Sequence, residues 1–252
     1  LTDPSYAEQV VVMTSPHIGN TGVNDEDPES DRIWASGLVV RRLSRAPSNF
    51  RSEGGLHQYL VQQGVPGIQG IDTRALVRHI RTRGAMKCAI STDGSTIDEL
   101  KAKVDAWTGM VGRDLASEVC CDESWTFADP EKPRLRFAVI DGGVKRNILR
   151  LLADAGHAVR VHPITAPVET WVEGADALMF GNGPGDPSAN PAIVEKVKKA
   201  VELRPCVGIC LGHQLLGLAL GAKTYKLPFG HRGGNQPVRD ETGRVAITSQ
   251  NH

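Results

Sequence analysis

Apolar positions are spaced in two different ways along the 252 residues. From Phe137 onward, short apolar runs alternate with stretches of helical period. Phe137–Asp141 reads as a strand, followed by a helix through Ile148, Leu149 and Leu152 that ends near Gly156. Val159 and Val161 alternate as on a strand, and Ala177–Phe180 is a short buried strand. Pro191 then takes a first helical position, with Ile193, Val194, Val197 and Val201 forming the apolar face of that helix. Cys206–Ile209 is another buried strand that runs directly into a helix. Strands in regular alternation with helices predict an α/β unit with a mostly parallel sheet covered on both faces.

Before about residue 120 that regularity is absent, and a separate mixed α/β unit is expected. Gln9–Thr14 and Gly37–Val40 are apolar runs with the character of buried strands. Asp72 predicts the cap of a helix through Leu76 and Ile80 that stops at Gly84. Ser95 is expected to cap a second helix, with Ile97, Leu100, Val104 and Trp107 on one stripe. Residues 122–136 are polar and carry Pro130 and Pro133, which reads as a linker. The expected organisation is therefore 1–121, a linker over 122–136, and 137–252.

Composition narrows the classes. Lys+Arg and Asp+Glu both number 29, so there is no excess positive charge of the kind nucleic-acid binding requires. No apolar run approaches the roughly 20 residues of a membrane span, and no charged-then-apolar signal segment opens the chain. The five cysteines include no C-x-x-C pair, so neither metal-ligand spacing nor a disulfide framework is indicated, and a reducing, cytoplasmic setting is expected.

Chemistry concentrates in two strings. VGICLGHQ, Val207 to Gln214, sets Cys210 between Gly208 and Gly212 where a strand turns into a helix. Such a turn exposes a nucleophile, and the unpaired N–H groups of the helix start are expected to favour the thiolate and to stabilise an oxyanion. Cys206, in the strand interior, reads as a small core residue. GNGPGDP, Gly181 to Pro187, follows the strand Ala177–Phe180 and lies at the same carboxyl edge, where open α/β sheets bind ligands. Alone it is equally consistent with an ordinary turn, and it lacks the pattern of a phosphate loop.

Together the two strings resemble the class I glutamine amidotransferase family. LTDPSY (Leu1–Tyr6), SPHIGNTGVND (Ser15–Asp25), GIDTRALVRHIRTRGA (Gly70–Ala85) and GVKRNILR (Gly143–Arg150) narrow the resemblance to the small-subunit family of carbamoyl-phosphate synthetase, and FGHRGGNQPV (Phe229–Val238) and TSQNH (Thr248–His252) continue it. The resemblance implies a C-terminal glutaminase domain in which Cys210 attacks the side-chain amide of L-glutamine, releases ammonia and forms a glutamyl thioester. It implies that the amides of Leu211 and Gly183 hold the oxyanion and that Ser5, Gly185, Gln214 and Asn251 contact the substrate. Taken without the family, Ser5 reads as a turn residue after Pro4.

The resemblance further implies a large-subunit partner that makes carbamoyl phosphate for arginine and pyrimidine synthesis. ATP and Mg are expected on that partner, with no cofactor on this chain. The family's His-x-Glu base pair is not found in the sequence, and neither His213 nor His252 is assigned as base. A chain cut at both ends, inactive alone, is the expectation. Two other readings are weighed: a binding partner that does not hydrolyse glutamine, which retention of Cys210 disfavours, and an amidotransferase for another synthetase, which the first-unit strings disfavour.

Overall fold

The computed structural model describes residues 1–251. The N-terminal part holds three parallel strands in the order β1 (Val10–Met13), β2 (Gly37–Val40) and β3 (Gly67–Gln69), with α1 (Leu56–Gln62) connecting β2 to β3. This strand–helix–strand unit departs from the irregular reading of that region. The central strand β2 is buried throughout, whereas β1 is only half-buried. Ile33, Ala35, Leu38, Val40 and Leu60 form its core.

The helix α2 (Thr73–Arg83) is capped by the Asp72 carboxylate, which accepts from the Ala75 N–H at 3.0 Å, and it ends at Gly84 as expected. The next helix, α3 (Ile97–Ala106), is capped by Thr96 rather than Ser95. Thr96 forms a reciprocal capping box with Glu99, while Ser95 is turned toward Asp93. The expected apolar stripe of α3 buries none of its residues, and Ile97 is 71% exposed. The short helix α4 (Leu115–Val119) follows, with Leu115, Ala116 and Val119 buried.

The segment 122–136 is not only a linker. It contains β4 (Trp125–Ala128), which pairs antiparallel with β6 (Ala158–Pro163) and forms one edge of a five-stranded sheet. The strand order is β4-β6-β5-β7-β8, with β5 at Arg136–Asp141, β7 at Ala177–Phe180 and β8 at Cys206–Gly208; all pairs except β4–β6 are parallel. Alternation along the strands supplies two cores. Ala138, Ile140, Leu178 and Phe180 face the helices α6 (Val168–Val172), α7 (Pro191–Leu203) and α8 (Leu211–Ala219), while Val139, Val159, Val161 and Met179 face α5 (Arg146–Asp154). Trp171 anchors the first core edge-on to Phe180, ring centres 5.9 Å apart, and its indole N–H donates to the Pro163 carbonyl.

The chain steps from β5 outward to β6, then returns to β7 on the other side of β5. That reversal opens a crevice between the carboxyl ends of β5 and β7. The loops that flank it are Gly142–Lys145 and Gly181–Pro187. At the far edge β8 leaves Val207 49% exposed, so it is an edge strand and not the fully buried one expected. A hairpin of β9 (Arg232–Arg239) and β10 (Val245–Asn251) closes the described chain.

The two parts are joined by specific polar contacts. Helix α5 has no capping side chain at its own N-terminus, and Glu29 of the N-terminal part supplies one. Its carboxylate accepts from the Asn147 N–H at 2.9 Å and its carbonyl from the Arg146 N–H at 3.0 Å, placing negative charge at the positive end of the helix. Among the described residues no helix is long and apolar enough to cross a membrane.

Candidate functional site

Cys210 occupies the turn between β8 and α8 with φ 54° and ψ −110°. A non-glycine residue at positive φ outside a helix carries strain, and here the turn holds it from both sides. The Ile209 N–H donates to the Phe180 carbonyl, and the Gly212 N–H donates to the carbonyls of Gly181 and Ile209, all at 3.0 Å. A Cβ at Gly212 would lie 2.1 Å from the Phe180 oxygen, so only glycine lets the helix start approach the end of β7 this closely. The elbow read from the flanking glycines is the conformation found.

The thiol is half-buried, and burial raises its pKa above the ordinary cysteine value. A hydrogen bond from the Leu211 backbone and the charges of Lys145 and Arg232 pull it down, and Asp3 pushes it further up; burial prevails. The Leu211 N–H at the helix start acts toward the thiolate, as expected, and burial outweighs it. The Cys210 thiol also approaches the Asn251 carbonyl at 3.9 Å.

Gly183 lies directly against the elbow. A Cβ there would meet the Gly142 carbonyl oxygen at 2.0 Å and the Leu211 side chain at 2.8 Å. Its own N–H donates to no protein acceptor among the described residues. Gly185, at φ 94°, packs instead against Arg113 and Leu115, and the Asp186 N–H behind it donates to the Arg113 carbonyl. Gln214 sits one turn along α8, its N–H on the Cys210 carbonyl at 3.1 Å. Asn251 accepts from the Arg232 guanidinium, which also reaches the Gln9 side-chain oxygen at 3.3 Å. Of the two histidines considered, His213 is exposed on α8 and His252 lies outside the described residues.

Ser5 arrives from the N-terminal part and is buried in the crevice beside the Gly181–Pro187 loop. Its Oγ accepts from the Asn182 side-chain amide at 2.9 Å. That amide nitrogen also faces the Asp3 carboxylate at 3.1 Å and the Gly143 carbonyl at 3.1 Å, and the Asn182 Oδ1 accepts from the Lys145 N–H at 3.0 Å. The Lys145 ammonium is 3.9 Å from the Asp3 carboxylate. Asp141, itself buried, accepts from the N–H groups of Gly143, Val144 and Cys121, each at 2.8 Å, and so fixes the neighbouring loop. Sequence reasoning passed over Asp3, Asp141 and Asn182. Asn182 stood inside a string already singled out, but its partners lie up to 179 residues away.

Two family models match the chain: "Carbamoyl-phosphate synthase small chain, CPSase domain" over residues 1–90 and "Glutamine amidotransferase class-I" over residues 138–252. Among the relatives is a carbamoyl phosphate synthase small chain of Streptomyces avermitilis, 48% identical over 257 residues, covering 100% of this chain and 68% of that one. The small chain of Acinetobacter baylyi is 49% identical, covering 100% of this chain and 71% of its own. That of Solidesulfovibrio magneticus is 47% identical, covering 100% and 72%.

Proposed function

As the chain belongs to the carbamoyl phosphate synthase small-chain family and carries its class I glutamine amidotransferase domain, we propose that it hydrolyses L-glutamine through a thioester on Cys210 and supplies ammonia to a large synthetase subunit. The observation that carries this reading is the Cys210 elbow, with its positive φ and the uncommitted Gly183 N–H beside it.

In this reading the Cys210 sulfur forms a bond to the side-chain carbonyl carbon of glutamine. The carbonyl oxygen takes up negative charge and is held by the backbone N–H groups of Leu211 and Gly183, donors whose individual loss typically costs about 2.7–4 kcal/mol in the transition state. Collapse breaks the carbon–nitrogen bond, the thiol proton leaves with the nitrogen as ammonia, and a glutamyl thioester remains. Water adds to that thioester, glutamate departs and the thiol is restored. Ser5, Gly185, Gln214 and Asn251 contact the amino-acid substrate. ATP and Mg belong to the large subunit, and the carbamoyl phosphate made there feeds arginine and pyrimidine synthesis. The raised thiol pKa implies that the sulfur needs a proton acceptor, a role given to neither His213 nor His252.

The intermediate is the decisive object. Acid quenching of the complete subunit during glutamine turnover, followed by peptide mass spectrometry, is expected to find a glutamyl adduct on the peptide that contains Cys210. Turnover with the adduct on another residue, or with no adduct under conditions that preserve thioesters, contradicts the mechanism.

A further inference from the structure

Asn182 has no part in the chemistry above, yet it is the most heavily hydrogen-bonded side chain at the junction of the two parts. It is 4% exposed, and three acceptors converge on its two amide protons while its own oxygen takes the Lys145 N–H. We infer that Asn182 is a positioning residue that aims the Ser5 hydroxyl at the substrate across that junction. The inference rests on the reading that Cys210 hydrolyses glutamine and that Ser5 touches it.

Because the Ser5 oxygen accepts from Asn182, its own O–H is left to donate, and among the described residues it donates to no protein acceptor. A buried hydroxyl with an uncommitted proton, held at one rotamer by a buried amide, is directed toward a ligand acceptor.

Only an amide fits this place. Aspartate has the same size and retains the acceptor for the Lys145 N–H, but as a carboxylate it loses both protons and faces the Asp3 carboxylate and the Gly143 carbonyl. Burial and the Asp3 carboxylate raise the pKa of such a group, against the Lys145 ammonium, which is 3.9 Å from Asp3 and partly offsets them; lowering the pH therefore protonates it and restores one donor.

The test is a double-mutant cycle on the complete subunit assembled with its synthetase partner, reading kcat and KM for glutamine in wild type, Asn182→Asp, Ser5→Ala and the double variant. Asn182→Asp is expected to raise KM roughly 5- to 30-fold, the effect of one or two buried hydrogen bonds, with kcat changed about twofold or less. In the Ser5→Ala background the same substitution adds about twofold or less, because its target is gone. The deficit relative to wild type narrows as pH falls. Asn182→Ser, smaller and with one donor, gives an intermediate KM and serves if Asn182→Asp fails to assemble.

Additive effects in the cycle, an effect on kcat with KM unmoved, or a deficit that does not change with pH would overturn the positioning role. Cys210→Ser in the same series separates the two claims. Glutamine turnover that survives Cys210→Ser sinks the proposed function. Turnover that depends on Cys210, with additive Asn182 and Ser5 effects, sinks only this inference.

Discussion

A single methyl group at Gly183 is a sensitive probe of the proposed oxyanion site. In Gly183→Ala the new Cβ would stand 2.0 Å from the Gly142 oxygen, 3.0 Å from the Gly142 carbonyl carbon and 2.8 Å from the Leu211 side chain. The first two are backbone atoms of a loop that Asp141 already clamps with two short hydrogen bonds, so they do not yield as a flexible side-chain tip would. Reaching an ordinary carbon–oxygen separation of a little over 3 Å requires a displacement on the order of 1 Å, shared between Gly183 and its neighbours. Hydrogen bonding to a developing oxyanion does not tolerate such a shift, and the loss approaches that of removing the donor. We expect kcat for glutamine hydrolysis to fall about 10²- to 10³-fold.

Overpacking should also lower global stability by about 1–3 kcal/mol, visible as an earlier urea transition. Gly67→Ala is the control, since a Cβ there meets only ordinary contacts at 3.6 and 3.7 Å. The assay is steady-state ammonia release by the folded, assembled subunit at saturating glutamine. A Gly183→Ala enzyme with kcat within about threefold of wild type would refute the reasoning, because the clash would then have relaxed without moving the donor.

Burial of Cys210 and the capping of α5 each have a measurable consequence. Burial holds the Cys210 pKa above the ordinary cysteine value, so its thiolate fraction grows with pH: iodoacetamide labelling of residues 1–252 at Cys210 should rise about tenfold per pH unit through neutrality, and a plateau near pH 7 would contradict this. Peptide mapping separates it from Cys206 and Cys121, whose thiols are pushed up to about 11 and about 12 and should label far more slowly. Glu29→Ala removes the cap of α5 from the other part of the chain and should cost about 0.5–2 kcal/mol in urea unfolding, whereas an unchanged midpoint would mean the contact is not stabilising.

Features with a local cause were legible in the sequence. Pro191 at a first helical position, Asp72 as a cap and the glycines around Cys210 each dictate a turn or a helix start from adjacent residues alone, and the structure has them where they were read. The class I amidotransferase domain and the small-chain family were legible from strings, and the family models and relatives bear them out. What escaped depends on residues distant in sequence. Trp125–Ala128 becomes a strand because Val159–Val161 offers it an edge, in a register broken between Thr126 and Ala128, although Pro130 and Pro133 just after it suggested a connector. Glu29 caps a helix 118 residues later, and Asn182 meets Ser5 across 177. Thr96 displaced Ser95 as a cap because Asp93 competes for the serine in a tight local turn. The upward shift at Cys210 was not readable either, since it depends on how much of the fold closes around the sulfur.

The central claim is that Cys210 is the nucleophile by which this chain draws ammonia from glutamine for its partner. It is tested most directly by Cys210→Ser in the assembled synthetase, with carbamoyl phosphate formation measured side by side from glutamine and from ammonia. A hydroxyl is far less nucleophilic than a thiolate near neutral pH, and the substitution is nearly isosteric at a strained turn. The account predicts that glutamine-dependent formation falls to background while ammonia-dependent formation is unchanged. Glutamine-dependent formation that persists, or the loss of both activities together, would contradict it.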